Sequence, residues 1–308
     1  MTSSPLDDAD ACHDDDPARA AALLADVNPA VLEPAQRPRM AFLLNHVLGE
    51  KLGRWNDAHA GQQALLAAAG GEAVAVLWRH AGAAGRLAGD DAAEAAATSG
   101  LAASADAPVQ QAAQVVALAA ASFRVPTMPA LQAGEATLEA LAALERDAAW
   151  QRAGGLDAAA AACCNNLSAH LSERPLEQLG IAPLRAAMAA TGEWAQRLWQ
   201  RAGTWVHQER ACYQRAIVAN TLGEPHRAQA HARDGLALLD AHDTANEEFV
   251  DRAFLELELA HAQERLGVAQ EASAARERAQ ALKARFQDGG LEAWFASREA
   301  RLKSLARA

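Results

Sequence analysis

The sequence predicts an all-α chain built as an antiparallel helix-pair solenoid, and three observations carry that prediction. First, a short phrase recurs in which a helix-like run ends in Leu-Gly, a few residues follow, and Ala opens a second helix. Leu52-Gly53-Arg54-Trp55-Asn56-Asp57-Ala58, Leu222-Gly223-Glu224-Pro225-His226-Arg227-Ala228 and Leu266-Gly267-Val268-Ala269-Gln270-Glu271-Ala272 are the full copies. Ala88-Gly89-Asp90-Asp91-Ala92-Ala93 is a looser one. Repetition of a helix–turn–helix unit is the mark of a stacked array. Second, of 308 residues 51% are hydrophobic but only 5% aromatic, with a single Tyr. Alanine supplies much of the apolar fraction, and it both favours helix and lets helices approach closely. Third, apolar residues recur at spacings of three and four, as in Leu255, Leu259, Ala262 and Leu266. That spacing gives a helix one buried face.

In chain order, residues 1–15 read as a disordered acidic tail, because Asp7, Asp8, Asp10, Asp14 and Asp15 crowd together without apolar periodicity. Asp16-Pro17 opens a helix with a capping carboxylate and a proline at the first helical position. Residues 16–124 form N-terminal helical repeats. Breaks at Asn28-Pro29 and Glu33-Pro34 precede helices at about 35–52 and 55–69, then about 73–87, 90–103 and 109–123. Residues 125–134, with Pro126 and Pro129, are an irregular connection. Residues 135–308 hold C-terminal repeats in one continuous array with the first set. Their helices fall at about 134–152, 156–171, 183–201, 204–221, 225–241, 247–266, 269–287 and 291–305. Thr244 followed by Glu247 reads as a capping box. Trp194, Leu198 and Trp205, with Trp78 and Trp150, read as core.

The turn phrases resemble the tetratricopeptide-repeat superfamily, whose pattern places Gly at the turn, a bulky residue two positions on and Ala five positions on. Gly53, Trp55 and Ala58 match it, as do Gly223 with Ala228 and Gly267 with Ala272. The small residue wanted seven positions before the turn is Gly82, Ala216 or Ala260, whereas His46 departs from the pattern. Asn165-Asn166-Leu167-Ser168 looks like the first-helix core of a further unit. The resemblance implies a right-handed superhelix with a concave, partner-binding face lined by first helices. It places inward the residues thirteen, ten, six and three positions before each turn glycine. These are Arg210, Tyr213, Ile217 and Asn220; Phe254, Leu257, His261 and Glu264; Val76, Arg79, Ala83 and Arg86; and Met40, Leu43, Val47 and Glu50. Asn165 projects similarly. The polar members Arg210, Tyr213, Asn220, Asn165, His261, Glu264, Arg79 and Arg86 are the expected partner-binding residues, since a guanidinium forks onto carboxylates and a phenol gives a flat face with a polar tip.

The expected function is a non-catalytic scaffold or adaptor holding a protein or peptide segment. The alternative is a regulator whose helical array changes pitch on binding a ligand. The formal charge of −11 and the absence of any Lys/Arg block exclude an ordinary nucleic-acid face. No stretch is apolar enough for a bilayer span. The acidic first residues lack the basic and apolar regions of a signal peptide, which points to the cytoplasm. Cys12, Cys163, Cys164 and Cys212 have no zinc-type spacing and read as reduced thiols, mostly buried. No P-loop, GxSxG or HExxH occurs. Glu50 and Glu264, the inward carboxylates, lie on units far apart in sequence, so no enzyme and no cofactor are expected. Cys12-His13 beside Asp14, Asp15 and Asp16 carries metal-binding residue types, but ordering a floppy tail is entropically costly. No metal site is expected.

Overall fold

Left-handed glycines punctuate the chain where the sequence phrase recurs, and helix fills the intervals. In the computed structural model, which describes residues 4–307, all regular structure is helical, with fifteen α-helices and no strand among the described residues. The chain divides into two compact units, one of Met1–Met128 with Glu139–Cys163 and the other of Pro129–Leu138 with Cys164–Ala308. The first holds α1 (Pro5–Cys12), α2 (Pro17–Ala25), α3 (Arg37–Leu43), α4 (Trp55–Ala69), α5 (Ala75–Ala88), α6 (Asp91–Ser104) and α7 (Val109–Arg124). α8 (Ala130–Arg146) and α9 (Asp157–Ser172) each carry the chain from one unit into the other. The second unit holds α10 (Ala182–Ala202), α11 (Trp205–Leu222), α12 (Pro225–His242), α13 (Phe249–Arg265), α14 (Ala269–Lys283) and α15 (Gly289–Leu305).

Three expectations need correction. The acidic start of the chain is not a tail: residues 5–12 form α1, while residues 1–3, like Ala308, lie outside the described residues. Ser4 and Asp7 make a capping box, Leu6 and Ala9 are buried, and Arg39 pairs with Asp7 and, at 3.3 Å, with Asp10. Two apolar positions one turn apart were too short a period to read. The irregular connection is also shorter than 125–134, because Val125–Thr127 is a 3-10 turn and α8 starts at Ala130. Only the first of three crossings between the units falls there, from Met128 to Pro129; the chain crosses again at 138–139 and at 163–164. Buried Trp150 donates its Nε1–H to Gln114 Oε1 on α7 at 2.6 Å, holding residues 148–151 in the first unit. Gly134 of α8 lies so close to the backbone of Pro183 and Leu184 that a Cβ there would sit 2.5 Å away, which holds the start of α8 in the second. Third, Thr244 does not cap α13. Asp243 instead accepts from the amides of Glu247 at 2.8 Å and Glu248 at 3.0 Å in the loop before α13, whose N-cap Glu248 makes no side-chain capping bond.

The turns follow the phrase closely. Gly53, Gly89, Gly223 and Gly267 have φ of +69°, +76°, +75° and +77°. At Gly223 the motif is a Schellman turn, with Glu224 N–H bonding Ala219 O at 2.8 Å and Gly223 N–H bonding Asn220 O at 3.1 Å. Gly89 and Gly267 close the same two bonds. After each turn the small residue does its expected work. Ala58, Ala228 and Ala272 are buried, and Ala228 packs in a cluster with Ala219 and Ala262. Consecutive helices pack against one another from α4 to α7 and from α10 to α14. Alternate helices also touch, α5 with α7 and α11 with α13.

The first copy, where His46 departs from the pattern, is irregular. α3 runs into a π-helical stretch, Leu44–Lys51, with Leu52 N–H reaching back to Val47 O at 3.1 Å. A polar network is buried beside it. Gln62 donates to Asn45 Oδ1 at 2.8 Å and to Ala41 O at 2.7 Å, and Asn45 donates to His80 O at 3.0 Å. None of the four cysteines forms a disulfide. Cys163, Cys164 and Cys212 are buried, and burial raises the Cys163 thiol and pushes Cys212 up to about 12. Both are thereby poor nucleophiles. No helix among the described residues is long and apolar enough to cross a membrane.

Candidate functional site

A cavity of about 890 Å³ in the second unit brings together the C-terminal half of α9, the middle of α11, the start of α13 and one face of α15. Its α11 wall is Arg210, Tyr213, Gln214 and Ile217, one face of the helix at spacings of three and four. Asn165 and Glu173 come from α9 and the residues just after it. Asp251 lies in the first turn of α13, with Glu247 and Glu248 immediately before it. Opposite stand Trp294, Ser297, Arg298 and Arg301 of α15.

Charge is organised around this space in three ways. At the rim, Arg210 is held by two carboxylates, Nε to Asp251 at 2.8 Å and Nη2 to Glu248 at 3.2 Å, with over half its side chain exposed. At the floor, Arg298 forks onto buried Glu258 at 2.5 and 2.9 Å, and Asn220 donates to the same carboxylate at 2.8 Å. At the α9 end, Arg301 donates to the carbonyls of Ser172 at 3.2 Å and Arg174 at 2.5 Å, where a cation suits the negative end of the helix. Glu209, one residue before Arg210, is fully buried. Burial first, then the neighbouring Asp251, pushes its carboxyl up to about 9, so it is a neutral acid at pH 7.

Two aromatic side chains complete the lining. The Tyr213 ring packs edge-on to Phe254, centroids 5.9 Å apart, and its buried hydroxyl makes no hydrogen bond to the described residues. Burial, then the Glu258 charge, holds that phenol above its usual range. Trp294 lies 4.3 Å from the Phe254 ring, centroid to centroid, and is still 49% exposed.

Of the residues expected to bind a partner, Arg210, Tyr213 and Asn165 therefore share one cavity, with Ile217 beside them. The others do not join them. Asn220 is buried and committed to Glu258. It edges a separate hollow of about 330 Å³ that His261 also lines. His261 and Glu264 border a third, of about 210 Å³, where Glu264 pairs with Arg276 at 2.7 Å. In the first unit, Arg79 donates to Ala159 O at 3.4 Å and Arg86 pairs with Glu94 at 2.8 Å on the surface. Phe254 and Leu257 are core, packed with Phe295 and Leu302 of α15. The last helix therefore covers the N-terminal part of that face of α13, while His261 and Glu264 further along it stay beside a hollow.

Sequence reading missed the α15 wall. A signal was available in Leu291, Phe295, Arg298, Leu302 and Leu305, which recur at four, three, four and three. One arginine inside an apolar stripe announces a buried cation that needs an anion. Its partner, Glu258, is forty residues away and leaves no local trace. No protein-family model matches the chain, and no curated protein matches it either.

Proposed function

We propose that this protein is a non-catalytic binding protein of tetratricopeptide-like build, and that the cavity walled by α11 and α15 holds a peptide or protein segment. The single observation that carries the reading is that cavity. It joins a partly exposed Trp, a Tyr hydroxyl without a partner and fixed cations and anions in a space of about 890 Å³. Aromatic and arginine side chains in a preformed hollow are the usual anchors of an interface. Held in advance by packing and ion pairs, they lose little entropy when a partner docks. The repeat reading draws support from the Schellman glycines, the small crossing residues and the packing of alternate helices.

The volume also favours a second reading, because it lies within the range typical of small-ligand sites. A ligand bridging α11 and α15 would couple binding to the spacing of the helices, provided it prefers one spacing. Solution scattering with and without the ligand separates the two readings, since only the regulator changes its radius.

The test is affinity capture from native lysate with wild type and with an Arg210→Ala/Tyr213→Ala double variant, together with a photo-cross-linker placed at position 294. The expected result is loss of the captured partner in the double variant with helicity retained, and cross-links from position 294 to that same partner. Equal capture by both proteins removes the cavity from the function.

A further inference from the structure

We propose that His13, Asp14 and His46 form a binding site for one divalent transition-metal ion, with zinc the best fit. His13 caps α1, Asp14 follows it, and His46 comes from the π-helical stretch after α3. Nε2 of His13 is 3.3 Å from one oxygen of Asp14, and Nε2 of His46 is 3.3 Å from the other. The three ligand atoms all lie within 4.8 Å of one another.

The other nitrogen of each ring decides what these contacts mean. Nδ1 of His13 is 2.5 Å from the Asp10 carbonyl oxygen, which can only accept, so Nδ1 carries the hydrogen. Nδ1 of His46 is 3.2 Å from a carboxylate oxygen of Glu50, itself shielded from solvent, and must donate likewise. In each neutral ring the lone pair is then on Nε2, aimed at a carboxylate. Three acceptors face one another, and a cation between them turns that opposition into coordination. A ring fixed through its far nitrogen by a carbonyl or carboxylate is how metal-binding histidines are oriented. Bonds of about 2.0–2.2 Å place tetrahedral ligands roughly 3.3 Å apart, so small side-chain rotations close the site and leave the fourth position to water. Two imidazoles and a carboxylate are donors that zinc accepts readily.

Two further features support the assignment. The entropic objection to a metal site here falls away, because α1 is capped by Ser4 and anchored by buried Leu6 and Ala9. His46 is steadied by Phe42, stacked on it with centroids 5.1 Å apart, and lies in a π-helical stretch, a rare conformation frequent at functional sites. The Lys51 ammonium is 2.9 Å from Asp14 and is the cation that a metal must displace from that oxygen.

The experiment uses the full chain, free of any histidine tag and stripped with a chelator. Zn²⁺ is titrated in by calorimetry and Co²⁺ is followed by its visible absorption. Wild type is expected to bind one ion. His13→Gln and Asp14→Asn should each weaken binding at least ~tenfold, and Lys51→Met should strengthen it by removing the competitor. All three positions are on or near the surface, so melting curves of the metal-free variants should match wild type. Zinc should raise the melting temperature of wild type but not of Asp14→Asn. Absence of one-to-one binding overturns the proposal, as does unchanged affinity in both the His13→Gln and Asp14→Asn proteins.

Discussion

Glu209 and Arg210 are neighbours in sequence with opposite fates, and the difference is one of helix face. Arg210 points its guanidinium at Asp251 and Glu248 on the cavity rim, while Glu209 is buried with Asp251 close enough to raise it further. An acid whose pKa rises from 4.5 to about 9 on folding keeps its proton in the folded state and loses it in the unfolded one throughout that interval. The folded state binds the extra proton, so its stability is greatest below pH 4.5 and declines as pH rises towards 9. Glu209→Gln mimics the neutral acid without the titration. Its urea midpoint should exceed that of wild type at pH 8, by a margin that grows by up to about 1.4 kcal/mol per pH unit from pH 5. Equal midpoints across that range would mean that Glu209 is ionised in the fold. The Arg298–Glu258 pair works in the other direction, since removing either partner strands a buried charge at roughly 3–5 kcal/mol.

At the scale of the element, the turn phrase rests on two distinct demands, and each can be broken alone. Gly223 needs its left-handed backbone, yet nothing lies within 4 Å of where a Cβ would be. Gly223→Ala should therefore lose only the stability that left-handed backbone strain costs a residue with a Cβ, roughly 1–2 kcal/mol. Ala228 needs smallness, because it is wedged among Ala219 and Ala262. Ala228→Leu should cost about 1–3 kcal/mol by overpacking and separate α11 from α12. Thermal unfolding of both variants checks the pair, and a larger loss in Gly223→Ala would reverse the assignment. These demands are local, so a handful of adjacent residues displays them, and the helix pairs of both units were legible for that reason. The family resemblance put Arg210, Tyr213 and Ile217 on one face of α11, and the three line one cavity. α1 and α15 were not legible in the same way. Leu6 and Ala9 declare a face only against the core that receives them, and α15 reaches back over α11 and α13 through partners such as Glu258. Phe254 and Leu257 stand before Gly267 where Arg210 and Tyr213 stand before Gly223, but spacing does not register that a later helix covers them.

At the scale of the whole molecule, acid response links groups in both units. His80 in the first unit and His231 and His261 in the second all have folded pKa values lowered, with burial the largest cause in each. Arg79 adds to it at His80 and Arg215 at His231, which falls to about 4. A histidine that stays neutral when folded and charges near 6.5 when unfolded contributes stability that is complete above 6.5. That contribution is lost as pH falls through the folded value. Glu209 pulls the opposite way over its whole interval, and the two effects meet. Between about pH 4.5 and 6.5 they oppose, whereas above 6.5 only Glu209 acts, so wild-type stability should be highest near 6.5. The Glu209→Gln protein should level out above that pH and fall more steeply than wild type below it. Replacing His231 with Asn in that background should then make the acid limb shallower. Urea midpoints followed by far-ultraviolet circular dichroism across the range read all three curves. An acid limb as steep in the double variant as in Glu209→Gln would show that His231 is not held neutral, and that the acid response belongs to His80 and His261.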